Sequence, residues 1–159
     1  MSSTQDMLVH TEAGVTTLTF NRADKKNSIT EAMYAAMADA LEQAAQDAAV
    51  RCLVFQGDLA IFSAGNDIAD FLQQGSKGAA SQGVGERPVW RFLRLLAAFP
   101  KPLVAAVCGP AVGIGTTLLL HCDLVYAGDN AAFSLPFVNL GLCPEAASSL
   151  LLPQMLGYH

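Results

Sequence analysis

The alternation of apolar and polar positions predicts short strands separated by helices. Six segments have the apolar, β-branched composition of strands: 8–11, Val15–Phe20, Cys52–Gln56, Leu103–Val107, Leu124–Ala127 and Ala132–Ser134. The first two follow each other across Gly14, so we expect them to pair. Leu103–Val107 is apolar throughout, which is typical of a strand that is buried on both faces.

Helical periodicity fills most of the intervals. Thr30 is a predicted N-cap, and the helix after it runs to about Ala48. Its apolar face is predicted to contain Met33, Met37, Ala40, Leu41 and Ala44. A second helix starts at Pro88 and buries Phe92, Leu95, Leu96 and Phe99 before Pro100 ends it. Shorter helices are predicted near residues 67–74, from the turn at 109–115 to Cys122, and from about Glu145 toward Leu156, with a possible break at Pro153.

Strands that alternate with helices predict an α/β fold. A rough strand–strand–helix unit recurs, although its residues do not repeat clearly. Residues 75–87 contain several glycines without an apolar period, and we expect a mobile surface loop there. Because no change in composition marks a boundary, residues 1–159 are predicted to form one domain.

The composition limits the possible partners. Charged residues make up only 14% of the chain, against roughly 25% in a typical soluble domain. Sequence-independent binding of nucleic acid needs clustered basic residues, and a chain with a net charge of −5 is not expected to offer them. So few charges on a chain that is 52% hydrophobic predict that part of its surface is covered, by partner subunits or by further polypeptide.

Cysteine spacing and hydropathy address the compartment. The four cysteines are widely separated and form no C-x-x-C pair, which predicts reduced, buried thiols and no metal site. The N-terminus has no basic start followed by an apolar run, and the longest apolar stretches are far shorter than the ~20 residues of a membrane span. We therefore expect a soluble, cytoplasmic protein.

Two turns rich in small residues each lead from a strand into a helix. They are residues 62–67 (Phe-Ser-Ala-Gly-Asn-Asp) and 109–115 (Gly-Pro-Ala-Val-Gly-Ile-Gly). The first N–H groups of a helix have no internal acceptor, so two facing helix starts could form an oxyanion hole. Ordinary tight turns are the alternative. The second turn matches neither G-x-G-x-x-G nor a P-loop, so a nucleotide site is disfavoured.

Three motifs together resemble the crotonase superfamily, also called the enoyl-CoA hydratase/isomerase family. These are residues 62–68, 101–113 and 122–127, in the order and at the spacing of that family. The resemblance implies a spiral of repeated ββα units, here without the usual C-terminal helical region. It also implies a homotrimer or a dimer of trimers.

The resemblance further implies a set of site residues. The backbone N–H groups of Ala64 and Ile114 would hold the enolate oxygen of a CoA thioester. The residues implied for CoA and substrate binding are Lys25, Lys26, Ala64, Gly65, Asn66, Asp67, Ile68, Pro110, Gly113 and Ile114. Coenzyme A is part of the substrate, and no metal, redox cofactor, nucleic acid or membrane partner is expected.

The pattern of acids selects among the activities of this family. Hydratases of the family use two glutamates, and the matching positions here are Thr117 and Phe137, which cannot transfer protons at neutral pH. The stretch from Gly109 to Pro153 resembles the peroxisomal type of Δ3,Δ2-enoyl-CoA isomerase, in which one glutamate is the base. That position is Glu145, which would remove a C2 proton and return it at C4.

Two other functions stay open from the sequence. One is a hydratase or other lyase that acts on CoA thioesters through Glu145 alone, and the other is a non-catalytic acyl-CoA-binding module. Glu145 could also merely stabilise the first turn of a helix. A helix start would lower its pKa, whereas the apolar neighbours Leu140, Leu142 and Phe137 would raise it, so the sequence leaves the sign open. His121, Cys122 and Asp123 are adjacent and are not expected to converge on one site.

Overall fold

The computed structural model describes residues 5–70 and 87–158. The strands are β1 Met7–Glu12, β2 Val15–Phe20, β3 Cys52–Gln56, β4 Leu103–Val107, β5 Pro110–Val112, β6 Leu124–Ala127 and β7 Ala132–Ser134. The helices are α1 Glu31–Gln46, α2 Pro88–Ala97, α3 Ile114–Thr117 and α4 Ser148–Leu156, with short 3-10 helices at Ala23–Lys25, Leu118–His121 and Val138–Leu140.

The strands form two layers that wind as a spiral. The larger sheet has the order β1-β2-β3-β4-β6, antiparallel between β1 and β2 and parallel elsewhere. The smaller sheet pairs β5 with β7, and isolated bridges at Ile29–Asn66 and Ser63–Ala111 extend this layer. A strand in the large sheet is thus followed by a strand or bridge in the second layer and then by a helix. The predicted α/β class and the repeated ββα unit are confirmed.

Helix α1 lies on the large sheet with the predicted face. The Thr30 side chain caps it by accepting a hydrogen bond from the Met33 N–H at 3.3 Å. Met33, Met37 and Leu41 are completely buried, and such side chains each contribute about 1.5–3 kcal/mol by leaving water. Helix α2 packs across α1, and the Arg91 guanidinium bonds carboxylates on α1. The α1–α2 pair forms one wall of the cavity described below.

Several predicted boundaries are wrong. The last helix begins at Ser148 rather than near Glu145, because Ala146 and Ala147 adopt left-handed conformations, with φ of 52° and 54°. Pro153 lies inside that helix and does not end it. The helix after the second turn is α-helical only to Thr117 and continues as a 3-10 helix. The predicted turn 109–115 also contains strand β5.

Other predictions fall partly or wholly outside the described residues. Residues 68–70 are helical, as expected of the short helix at 67–74, and the rest of that helix lies beyond the described part of the chain. So does the predicted mobile loop, apart from its last residue, Arg87.

The cysteines correct another expectation. All four thiols are free, but none is fully buried, and Cys143 is exposed. Burial nevertheless raises the pKa of the Cys122 thiol to about 12, with a smaller contribution from Asp123. In the described ranges no helix has both the length and the apolar character needed to cross a membrane.

Candidate active site

The two turns rich in small residues lie against each other. The N–H groups of Phe62 and Ser63 both donate to the Pro110 carbonyl at 3.1 Å, and the Val112 N–H donates to the Ser63 carbonyl at 2.9 Å. A Cβ on Gly65 would lie 2.8 Å from the Val112 carbonyl oxygen, so only glycine permits this approach. The structure therefore brings the two predicted turns together.

The N–H of Ala64 is not the free donor of the first turn. It donates to the Lys26 carbonyl at 2.9 Å, which corrects the expectation that it would hold an enolate. Ile29 forms a bridge to the next part of this turn. Its N–H donates to the Gly65 carbonyl at 2.8 Å, and its carbonyl accepts from the Asp67 N–H at 2.9 Å. The N–H of Asn66 between them has no acceptor among the described residues. It is the available donor on this turn.

The second turn also presents an N–H without a partner. Gly113 has φ +56° and ψ −120°, a conformation that favours glycine, and its N–H donates to the Ser134 carbonyl at 2.9 Å. The following N–H, that of Ile114, finds no acceptor within residues 5–70 and 87–158. The Gly113 Cα is 3.9 Å from the position of a Gly65 Cβ. The N–H groups of Asn66 and Ile114, unpaired among the described residues, therefore each follow one of two neighbouring glycines.

Beside the first turn is a cavity of about 490 Å³ that contains Glu145. Its apolar lining is Ile29, Tyr34, Val89, Trp90, Leu93, Pro144 and Ala146, and its polar lining is Glu31, Asn66, Asp67, Asp70, Arg87, Cys143 and Glu145. Burial raises the pKa of the Glu145 carboxyl, and a hydrogen bond from the Asn66 side chain offsets part of this effect. Leu140 and Leu142, which were predicted to desolvate Glu145, do not do so, because both are more than half exposed.

The backbone around Glu145 is fixed by local hydrogen bonds. The Ser148 N–H donates to the Glu145 carbonyl at 3.0 Å, and the His121 Nε2 lies 2.9 Å from the Ala146 carbonyl oxygen. The left-handed Ala146 and Ala147 each cost about 1–2 kcal/mol, and such strain is often found at functional sites. Because Glu145 precedes helix α4, its interpretation as a first-turn acid is wrong.

Comparison with known proteins agrees with this architecture. The family model described as enoyl-CoA hydratase/isomerase matches residues 10–159. The chain belongs to the enoyl-CoA hydratase/isomerase family. This confirms the predicted crotonase membership and fold.

Individual members of the enoyl-CoA hydratase/isomerase family are also similar to the chain. Enoyl-CoA delta isomerase 2 of Rattus norvegicus is 44% identical over 95% of this chain and 38% of its own length. The 1,2-epoxyphenylacetyl-CoA isomerase of Escherichia coli is 40% identical over 95% of this chain and 58% of its own. The solved structure of OdaA from Pseudomonas aeruginosa superimposes with a TM-score of 0.89 at 54% identity, covering 98% of this chain and 60% of that one. The chain thus spans between 38% and 60% of the length of these relatives.

The other residues predicted to bind CoA or substrate lie in the first turn or beside it. Arg22 bonds the Asp67 carboxylate at 2.7 Å, which lowers the pKa of Asp67 and ties the early loop to the turn. Lys25 and Lys26 are exposed on that loop. Among the predicted binding residues, Ile68 and Pro110 are exposed. Asp67 stays charged and paired, so it is a poor candidate for a base.

Sequence reasoning missed two residues that contact the site from other elements. The hydroxyl of Tyr34, on α1, donates to Asn66 Oδ1 at 2.5 Å. His121 contacts the segment of Glu145, as described above, whereas its neighbour Asp123 accepts a hydrogen bond from the Leu103 N–H at 2.8 Å. His121, Cys122 and Asp123 therefore do not converge, as expected. No group of three or more His, Cys, Asp or Glu side chains in the described ranges is arranged to hold a metal ion.

The raised pKa of Glu145 predicts a pH-dependent cost in stability. Burial disfavours the charged form in the folded state, so the cost is absent below the unfolded pKa of about 4.3. The cost grows as the pH rises through the folded pKa. The gain in unfolding free energy from Glu145→Gln should therefore increase between pH 4 and pH 8 in urea titrations. A gain that is no larger at pH 8 than at pH 4 would contradict the desolvated carboxylate.

Proposed function

We propose that the chain forms the catalytic core of an isomerase that converts 3-enoyl-CoA into 2-trans-enoyl-CoA. The observation that supports this most strongly is one partly buried carboxylate, Glu145, with a raised pKa, in a largely apolar cavity. The side chain of Asn66 lines the same cavity and lowers the pKa of this carboxylate, and the backbone N–H of Asn66 has no acceptor among the described residues. A base and an oxyanion donor are thus available on adjoining groups.

In the proposed reaction, Glu145 accepts a proton from C2 of the substrate. The electron pair of the broken C–H bond moves into the thioester, whose oxygen becomes an enolate. The N–H groups of Asn66 and Ile114 would donate to this oxygen, and each such donor typically contributes ~2.7–4 kcal/mol to the transition state. The proton then returns from Glu145 to C4, and the double bond ends between C2 and C3. No electrons are gained or lost overall, so the reaction needs no redox cofactor.

A single acid suffices because the same carboxyl group takes the proton and gives it back. Burial raises the pKa of Glu145 toward neutral pH. A group whose pKa lies nearer the working pH accepts and returns a proton more efficiently. A hydratase of the usual two-glutamate kind would need a second acid. Thr117 is fully buried and its hydroxyl has no partner among the described residues, and Phe137 has no titratable group. This argues against the usual two-carboxylate hydration of an enoyl thioester.

Binding of the CoA moiety is part of the same proposal. Lys25 and Lys26 are exposed on the loop whose Lys26 carbonyl bonds the first turn, so their ammonium groups are free to reach phosphates. Gly65, Asn66, Asp67 and Ile68 would border the pantetheine, and Pro110 and Gly113 would border the thioester from the second turn. These contacts stay predictions.

The direct test supplies 3-enoyl-CoA and follows the absorbance of the conjugated thioester product. An increase that depends on the protein supports the isomerase. If the protein instead consumes 2-enoyl-CoA by hydration and leaves 3-enoyl-CoA unchanged, the hydratase alternative replaces it. If acyl-CoA changes the fluorescence of Trp90, the one tryptophan of the chain, but no enoyl-CoA is converted, the binding module replaces it.

The proposal also includes self-association through an exposed apolar face. Every residue of β6 and β7 is exposed, although the strands are apolar. The exposed apolar side chains of this region are Leu124, Val125, Tyr126, Phe133, Val138 and Leu140, and those of β6 lie on both sides of the strand. Large exposed apolar surfaces often mark interaction sites, and we propose a homotrimer.

For the 159-residue chain alone, sedimentation should show association that weakens when Leu124 and Val138 are both replaced with Lys. The two substitutions place charge on the exposed apolar face, where a contact would have to desolvate it. A monodisperse monomer with a sharp unfolding transition would contradict the proposed association.

A further inference from the structure

Tyr34 is a buried polar residue that the proposed reaction does not yet use. It lies in the first turn of α1 and is 3% exposed, and its ring lies 5.5 Å from that of Phe92 on α2. Its hydroxyl donates to Asn66 Oδ1 at 2.5 Å. Two helices therefore hold this hydroxyl against the side chain of Asn66, which lines the same cavity as Glu145.

The hydrogen bond determines which way the Asn66 amide faces. A side-chain amide has one acceptor end and one donor end, and they differ only by rotation about the last bond. Since the Tyr34 hydroxyl donates to the oxygen, the NH₂ end remains free to donate within the cavity that Asn66 and Glu145 both line. Burial, together with the nearby Glu145 and Glu31, raises the pKa of Tyr34, which keeps the phenol protonated and able to donate.

We propose that Tyr34 is a positioning residue for Glu145, whose hydroxyl orients the Asn66 amide so that its NH₂ group donates to the catalytic carboxylate. This inference rests on the proposed function. Through Asn66, Tyr34 favours the ionised, base-competent form of Glu145 and fixes the direction of its oxygens.

The other charged groups of the cavity have partners of their own. The titratable and charged side chains that line it with Glu145 are Glu31, Asp67, Asp70, Arg87, Cys143 and Tyr34 itself. Arg87 bonds Glu31 at 2.7 Å, and Asp70 accepts a hydrogen bond from the Glu31 N–H at 2.8 Å. Asp67 bonds Arg22. Arg87, the basic side chain of this lining, already bonds Glu31, so the Asn66 amide is the neutral donor that we assign to Glu145.

Tyr34→Phe removes only the hydroxyl and keeps the ring that packs on Phe92. We expect kcat to fall about 3- to 15-fold, as for the loss of one hydrogen bond, while the Kd for acyl-CoA changes less than twofold. The acidic limb of the kcat–pH profile should move to higher pH, because Glu145 loses an oriented donor. The control Tyr158→Phe, at a fully exposed tyrosine, should change neither. Unchanged kcat and an unchanged limb in Tyr34→Phe would overturn the inference.

A double-mutant cycle separates action through Asn66 from a general structural effect. In an Asn66→Ala background, Tyr34→Phe should have no further effect on kcat or on the acidic limb. Additive losses in the double variant would show that Tyr34 does not act through Asn66 and would contradict the proposal.

Direct titration of the Glu145 carboxyl keeps this test independent of turnover. With ¹³C-labelled glutamate, the resonance absent from Glu145→Gln identifies the residue, and its pKa should be higher in Tyr34→Phe than in Tyr158→Phe. This holds whether or not the protein isomerises 3-enoyl-CoA, so failure of the proposed function leaves the positioning role testable. An equal pKa in both variants would refute that role even for an active isomerase.

A second measurement covers the possibility that Tyr34→Phe does not fold. The chain has three tyrosines, so 3-fluorotyrosine in a Tyr126→Phe/Tyr158→Phe background labels Tyr34 alone. Its ¹⁹F resonance should titrate with the midpoint of Glu145 and lose most of this response in Asn66→Ala. A resonance that ignores the ionisation of Glu145, or that is unaffected by Asn66→Ala, would contradict the coupling.

Discussion

Glu145→Gln should abolish most isomerisation and leave acyl-CoA binding intact. The amide keeps the size and much of the hydrogen bonding of the carboxylate but cannot accept the C2 proton. General acid–base groups typically contribute 10²- to 10⁴-fold, so we expect kcat to fall by about that factor. Turnover of 3-enoyl-CoA gives kcat, and quenching or enhancement of Trp90 fluorescence gives the Kd, which should stay within about threefold of the wild-type value.

Two comparisons make this result specific. Glu12→Gln removes a carboxylate whose side chain is largely exposed, on β1, and should keep wild-type turnover. The pH–rate profile of the wild type should have its acidic limb above the usual carboxyl range, since burial raises the pKa of Glu145. Full activity in Glu145→Gln would remove this residue from the mechanism.

Gly109→Ala should destabilise the fold strongly, although it adds only one methyl group. Gly109 has φ +68°, and an added Cβ would lie 1.9 Å from the Ala60 carbonyl oxygen, which belongs to backbone. The left-handed conformation costs a non-glycine residue about 1–2 kcal/mol, and overpacking adds about 1–3 kcal/mol. We therefore expect the free energy of unfolding to fall by about 2–5 kcal/mol in urea titrations.

Gly109→Ala should also disturb the candidate active site, because Gly109 starts the second turn and packs against Ala60, just before the first turn. Its N–H donates to Asn130 Oδ1 at 3.1 Å, and the Asn130 amide donates to the Leu59 carbonyl at 2.8 Å. Separating these segments shifts Phe62 and Pro110 and so disturbs the two donors. Gly141→Ala is the matched control, because Gly141 has φ +65° but nothing within 4 Å of its Cβ position. Equal losses in the two variants would mean that the close approach contributes nothing.

The sequence predicted those parts of the fold that depend on local pattern. The face of α1 follows from Met33, Met37 and Leu41 at helical spacing, and the ββα units follow from short strands between helices. The last helix was placed too early because nothing in Ala146 and Ala147 indicates left-handed backbone, which alanine rarely adopts. The Ala146 carbonyl also contacts His121, 25 residues earlier in the chain, and no local signal reveals that contact.

The candidate site was predicted in its elements but not in its hydrogen bonds. The two turns follow from their small residues between strand and helix, whereas Glu145 follows from the family resemblance. Which N–H is free on the first turn depends on Lys26, whose carbonyl bonds Ala64 from 38 residues away, and no local signal reveals that bond. Tyr34 was hidden because a tyrosine on a buried helix face is ordinarily a packing residue. Its hydroxyl gains a role only through the distant Asn66.

The most direct test of the proposed mechanism is a crystal structure of the protein with a bound acyl-CoA that mimics the thioester enolate. We predict that the thioester oxygen lies about 2.7–3.1 Å from the backbone nitrogens of both Asn66 and Ile114. The Glu145 carboxylate should then be within hydrogen-bond reach of the proton on C2. An oxygen bound elsewhere, or a Glu145 side chain on the far side of the acyl chain, would contradict this mechanism.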